Sequence, residues 1–162
     1  MKKGFTLVEL SIVLVIIGLL ISGLLVGQSM IKAAKVQSQV KQLQQFDIIV
    51  RNFKEVYRYL PGDLPNATAY FGAVSGSCAT VAGTGTQSCN GDGDGTIDYV
   101  NTDDTPYEAW RAWEHLSHAG FLDTEYTGVY GTSCTYGSSC IEPGINIPEA
   151  KIGESTGIHM FE

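Results

Sequence analysis

From Leu10 to Gly27 no side chain carries a charge. Together with residues 5–8, this apolar run is long enough to cross a bilayer core as a helix, and it decides where the protein lives. A secretory signal peptide would be followed by a small-residue cleavage site and would lose the run. Here the run passes without a break into an amphipathic helical pattern. One acid, Glu9, stands inside its leading edge, and a short basic piece, Met1-Lys2-Lys3, precedes Gly4. By the positive-inside rule that basic end stays in the cytoplasm, which places the head beyond the run in the periplasm or outside the cell.

The stretch Lys2-Lys3-Gly4-Phe5-Thr6-Leu7-Val8-Glu9-Leu10 resembles the processing motif of type IV prepilins and type II secretion pseudopilins. It combines a basic leader, a Gly-Phe junction, an acid at the fifth position after that junction and an uninterrupted apolar run. The resemblance extends to about Leu60. It implies cleavage between Gly4 and Phe5 by a prepilin peptidase, followed by N-methylation of the new Phe5 amine. The alternative is an ordinary signal anchor in which the Gly-Phe pair and the acid are accidental.

Glu9 is costly at membrane depth, roughly 2.5–3.5 kcal/mol for a central acid and less near the interface. It needs a positive partner, and the closest is the Phe5 α-amine of the mature chain, its own or a neighbour's. The helix N-terminus also favours a negative charge. In the family resembled here the neighbour's amine is the usual partner, which makes Phe5 and Glu9 the assembly pair and sets the axial register of incoming subunits. The bland reading is a glutamate reaching to the membrane edge. Gly18, Gly23 and Gly27 interrupt the run; they permit either close helix approach or a locally melted segment in a packed fibre. Many pilins of this type carry a helix-bending proline in this region, and this chain does not.

Beyond Gly27 the pattern becomes one-sided. Val36, Val40, Leu43, Phe46, Val50, Phe53, Tyr57 and Leu60 recur at spacings of three and four, with glutamines over much of the remaining surface. The stripe predicts packing against the head that follows, with a solvated coiled coil as the alternative. Pro61-Gly62 predicts a helix end near Leu60. The segment 60–67 then reads as turn and connection, and it is similar to a segment that recurs after the long helix in a subgroup of pilin-like proteins.

Composition sets the class of the remainder. Ten basic against 17 acidic side chains give −7, and loss of Lys2 and Lys3 with the leader leaves eight against 17, or −9. That balance argues against nucleic acid as the main partner. All four cysteines, Cys78, Cys89, Cys134 and Cys140, lie in the head, as expected for disulfides formed outside the cytoplasm. Four cysteines allow three connectivities; local pairing favours Cys78–Cys89 and Cys134–Cys140 over a metal site, whose paired C-x₂-C spacing is missing.

The Gly-, Ser- and Thr-rich stretch 72–95 predicts a long surface loop. It ends in Asn90-Gly91-Asp92-Gly93-Asp94-Gly95-Thr96-Ile97-Asp98, which reproduces the first part of an EF-hand-type loop: oxygen donors at alternate positions, then a glycine. Asn90, Asp92, Asp94, Asp98 and the Thr96 carbonyl are thus candidate ligands for a structural Ca²⁺. The match is partial, because position one is Asn and position twelve is Asn101. The missing ligand would come from Asp98, Asp103, Asp104 or Glu108, and the competing reading is an acidic turn without metal. Thr105, Pro106 and Glu108 predict the capped start of a short helix ending at Gly120. Trp110, Trp113 and Leu116 form its core face, and His115 and His118 are expected to be solvated rather than zinc ligands. No Gly-x-Ser-x-Gly elbow supports nucleophilic catalysis, and an enzyme is not expected. Residues 125–129, 144–147 and 158–161 predict short strands.

These readings predict an α+β subunit. A long N-terminal helix, membrane-spanning and then amphipathic, packs on a small antiparallel β-sheet head with a disulfide-stapled loop region. Residues 1–4 form the leader, 5–60 the helix with 5–27 as its membrane or filament-core part, and 61–162 the soluble head. The resemblance implies a homopolymer of identical subunits, held in the inner membrane before assembly and then built into an extracellular type IV pilus-like filament by pilus or type II secretion machinery. The alternatives are a pseudopilin of a short periplasmic pseudopilus and a membrane-anchored binding or adhesive module that never polymerises.

Overall fold

The computed structural model describes residues 6–78, 81–82, 85–98, 108–129, 141–153, 156–158 and 160. Its dominant element is α1, Leu7–Tyr57, 51 residues in one helix, about 77 Å at 1.5 Å per residue. The helix runs unbroken through Gly18, Gly23 and Gly27. Its start is a capping box. The Glu9 amide donates to Thr6 Oγ1 at 3.3 Å, and the Thr6 amide donates to Glu9 Oε2 at 2.8 Å, so two otherwise unpaired donors are satisfied reciprocally. The helix stops at Tyr57, three residues before Leu60. Arg58 takes a left-handed conformation (φ 69°) and donates its amide to the Lys54 carbonyl at 2.9 Å, ending the ladder before Pro61 is reached.

The expected stripe divides in two. Phe46, Val50, Phe53 and Tyr57 pack on the head with Ile49, whereas Val36, Val40 and Leu43 stay exposed. Contact with the head begins with polar groups. The Lys151 amide donates to Gln39 Oε1 at 2.6 Å, and Gln42 Nε2 donates to the Glu149 carbonyl at 2.8 Å. Gln39 is buried, so a residue read as helix surface docks the head.

Two short helices complete the regular structure among the described residues: α2, Ala67–Phe71, and α3, Glu108–His118. Phe53 of α1, Leu64, Ala67 and Phe71 near α2, Trp110, Trp113 and Leu116 of α3, and Ile147 form the core. Phe46 meets Trp113 edge-on with ring centroids 4.9 Å apart, and Phe53 stacks on Tyr57 at 4.4 Å, both favourable aromatic geometries. Gly120 ends α3 as expected, with φ 76° and its amide on the Ser117 carbonyl. Thr105 and Pro106 lie outside the described residues.

The antiparallel sheet is not borne out. Among the described residues there are isolated bridges only, Ala73 with Ser88, Pro143 with Ile147 and Glu149 with Gly157. Residues 144–147 belong to a turn instead: the Ile145 and Asn146 amides both donate to the Glu142 carbonyl, and Asn146 Oδ1 accepts the Glu142 amide. Pro143-Gly144 turn chemistry therefore prevails over the β preference of Ile145 and Ile147. Residues 125–129 reach this turn through the bond from the Thr127 amide to the Ile145 carbonyl. Of 158–161, the Ile158 amide bonds the Pro148 carbonyl, and 159 and 161 lie outside the described residues. Prolines at 143 and 148 lack the N–H that a continuing ladder needs.

Candidate functional site: the stem terminus and an acidic loop cluster

Two regions carry chemistry. The first is the N-terminal stem. From Leu7 to Ile31 the large apolar side chains are exposed, and α1 is long and apolar enough to cross a membrane by length and composition. Within it, Glu9 Oε2 also accepts the Thr6 hydroxyl at 2.7 Å. The sequence predicts a positive partner for Glu9; among the described residues the structure shows a neutral, local one, the Thr6 capping box, whose T-x-x-E spacing is legible in the sequence. Gly4 and Phe5 lie outside the described residues.

The second region gathers around α3, whose residues 108–116 are buried on every side. One face meets α1, and the loop after α2 wraps the other. That loop has few apolar groups, so its contacts with α3 are polar. Arg111 donates to both Glu114 carboxylate oxygens at 2.8 Å and to the Cys78 and Val81 carbonyls at 2.6 and 3.1 Å. Ser88 Oγ donates to Glu114 Oε2. Cys78 and Cys89 are disulfide-bonded with Cα atoms 5.9 Å apart, as local pairing predicts, so the staple and the ion pair fix the same loop. Cys134 and Cys140 lie outside the described residues. The expectation that the α3 histidines are solvated is overturned at His115, which is fully buried, while His118 is partly buried. The Gly62 amide donates to His115 Nδ1 at 3.0 Å, and Nε2 lies 3.1 Å from the Cys89 carbonyl. The neutral tautomer with its proton on Nε2 satisfies both contacts.

The acidic cluster sits where three backbone segments converge. Residues 61–64 are buried between α3 and the loop 90–95. Gly62 holds φ +91°, and a Cβ there would meet the Glu108 carbonyl and Ala112. A Cβ on Gly91 would lie 2.5 Å from the Asp63 Cα, so only glycine lets the loop approach this closely. The Gly91 amide bonds the Leu64 carbonyl at 2.9 Å. This contact brings Asp63, Asp92 and Asp94 together, with one carboxylate oxygen from each within 4.8 Å of the others.

The loop's own bonds fix its shape. The Asp94 amide donates to Asp92 Oδ1 at 3.0 Å, and the Thr96 amide and hydroxyl each donate to Asp94 Oδ1 at 2.8 Å. Those bonds hold the Asp94 carboxyl below its ordinary range. Glu108 accepts the Asp92 amide on Oε1 at 2.9 Å and the Asp98 amide on Oε2 at 3.0 Å, so it clamps both ends of the loop from the start of α3. Burial pushes the carboxyls of Asp63 and Glu108 up. Of the sequence candidates, Asp92 and Asp94 join the cluster. Asn90 Oδ1 accepts the Thr68 amide at 2.9 Å, Thr96 donates to Asp94, and Asp98 meets Glu108 through its amide. Asp103 and Asp104 lie outside the described residues. Asp63 carried no signal beyond an acid inside a Pro-Gly turn, because its partners are distant in sequence.

Compared with known proteins, residues 1–25 match the family described as the prokaryotic N-terminal methylation motif, the signature of type IV pilins and pseudopilins. No curated protein and no solved structure matches the chain.

Proposed function

We propose that the chain, which carries the N-terminal methylation motif over residues 1–25, is a structural subunit that polymerises through α1 into a type IV pilus-like extracellular filament. The observation that carries this reading is the bare stem. The motif is continuous with a helix whose large apolar residues from Leu7 to Ile31 are all exposed, while among the described residues the head grips the same helix from Gln39 onward. Apolar surface of this extent is covered by lipid before assembly and by neighbouring stems afterwards. The motif and the apolar helix fit anchoring in the inner membrane at that first stage.

In this reading a prepilin peptidase removes residues 1–4, Phe5 becomes the methylated N-terminus, and the head, 61–162, lies outside the fibre core. Identical subunits repeat one head-to-tail contact, which gives an open helical polymer. Glu9 pairs with the Phe5 amine of a neighbour, so each added subunit neutralises one buried acid. Intact-mass spectrometry on protein sheared from cells tests the proposal. The expected species lacks residues 1–4, carries one methyl group and is enriched in the sheared fraction. A full-length mass confined to membranes would favour an anchored module and remove polymerisation. A processed mass with only short periplasmic fibres would assign the subunit to a pseudopilus of type II secretion machinery.

A further inference from the structure

We propose that Asp63, Asp92 and Asp94 form a site for one divalent, oxygen-seeking cation of the Ca²⁺ class, which locks the acidic loop onto the connection between α1 and α2. This ligand set differs from a self-contained EF-hand loop, since one carboxylate comes from the far side of a chain contact.

The first observation is convergence. The three carboxylate oxygens lie within 4.8 Å of one another. Ca²⁺ holds oxygen ligands at about 2.3–2.6 Å, so ligands on opposite sides of one ion stand up to about 5 Å apart. The second is independent of the cluster's acidity. Asp63 is 1% exposed, and its Oδ1 has no hydrogen-bond partner, although its Oδ2 accepts the Gly95 amide at 3.2 Å. A buried carboxylate oxygen without a donor is a costly arrangement that calls for a cation or a proton. The carboxylates that interact with Asp63 include those of Asp94, Asp92 and Glu108, all acidic.

Asp92 and Asp94 are exposed, so the site opens to solvent on one side and an ion has both an entry path and room for water ligands. Glu108 is a positioning residue. Both of its oxygens are occupied by loop amides, which holds Asp92 in place without making Glu108 a ligand. Hard oxygen donors and a flexible water shell suit Ca²⁺ better than Mg²⁺, which demands near-ideal octahedral geometry.

Calorimetric titration of CaCl₂ and MgCl₂ into the chelator-stripped full chain in detergent tests the proposal, alongside D63N and D94N. The expected result is one Ca²⁺ per chain, at least tenfold weaker Mg²⁺ binding, and a melting temperature that rises with Ca²⁺. D94N keeps an acceptor oxygen for the Thr96 amide and hydroxyl but loses the charge, and it binds Ca²⁺ at least tenfold more weakly. D63N removes the buried charge, melts no lower than the parent without Ca²⁺, and loses the Ca²⁺-dependent rise. Absence of binding heat in the parent, or an unchanged Ca²⁺ affinity in either variant, would overturn the assignment.

Discussion

At the scale of single residues, the polar side chains of α3 matter more than their place on a short helix suggests. His115 accepts the Gly62 amide on Nδ1 and faces the Cys89 carbonyl with Nε2; a second proton would set N–H against N–H. Burial is the main reason its pKa falls to about 3, with the charges of Arg111 and His118 acting in the same direction. The unfolded chain takes up this proton near 6.5, so stability is full above that pH and falls as the pH drops toward 3. The slope from this one group is up to about 1.4 kcal/mol per pH unit. Asp63 and Glu108 have raised pKa values and work with the opposite sign in their own window, losing stability as the pH rises. Melting curves of the full chain in detergent from pH 7 to pH 4, compared with H115Q, isolate the histidine. The variant is expected to flatten the slope below 6.5, and an identical slope would show that His115 does not set it. The Arg111–Glu114 pair, each side chain 1% exposed, is a second such point. E114Q leaves a buried guanidinium without its counter-charge and is expected to cost about 3–5 kcal/mol in urea unfolding.

At the scale of elements, legibility in the sequence follows how local the governing interactions are. The long helix was readable because its pattern repeats over 51 residues, and Gly120 ends α3 by a conformation it adopts alone. The strands were not, because Pro143, Gly144 and Pro148 close residues 142–147 into a turn and withhold ladder donors. Nor was the burial of Arg111, Glu114 and His115 readable, since part of their cover is a loop about thirty residues upstream that meets them through carbonyls and a serine hydroxyl. Asp63 is the same case: the acidic loop announced itself through alternation, but its buried partner arrives only when Gly62 and Gly91 bring two backbones together. The disulfide was legible as a local pair, and its worth can be measured. Cys78 and Cys89 are 11 residues apart, for which loop-closure entropy gives about 3 kcal/mol. Serine at both positions is expected to lower unfolding stability by that order, and a change below about 0.5 kcal/mol would mean that the Arg111 contacts alone hold the loop.

At the scale of the whole molecule, head and stem are joined by one continuous helix but answer to different requirements. The described part of the head packs around Phe53, Trp113 and Ile147, while the stem exposes a run of large apolar side chains. Between them Val36, Val40 and Leu43 remain 57, 48 and 46% exposed, which carries the uncovered surface beyond the membrane part of the helix. Glu9 is where the two accounts of the stem can be separated. As the N3 acid of the capping box it works with Thr6, and either substitution would cost the helix start on the order of 1 kcal/mol. As an assembly acid it works with a neighbour's amine, and only its charge matters. Thr6→Ala breaks the cap and keeps the carboxylate; Glu9→Leu removes both. Both variants are expected to insert in the membrane, because the apolar run is untouched. If the acid joins subunits, Thr6→Ala gives filament yields within about twofold of the parent and Glu9→Leu gives almost none, since an unneutralised amine would then be buried in every contact. Equal losses in the two variants would reduce Glu9 to a helix cap, and normal yield from Glu9→Leu would remove it from assembly.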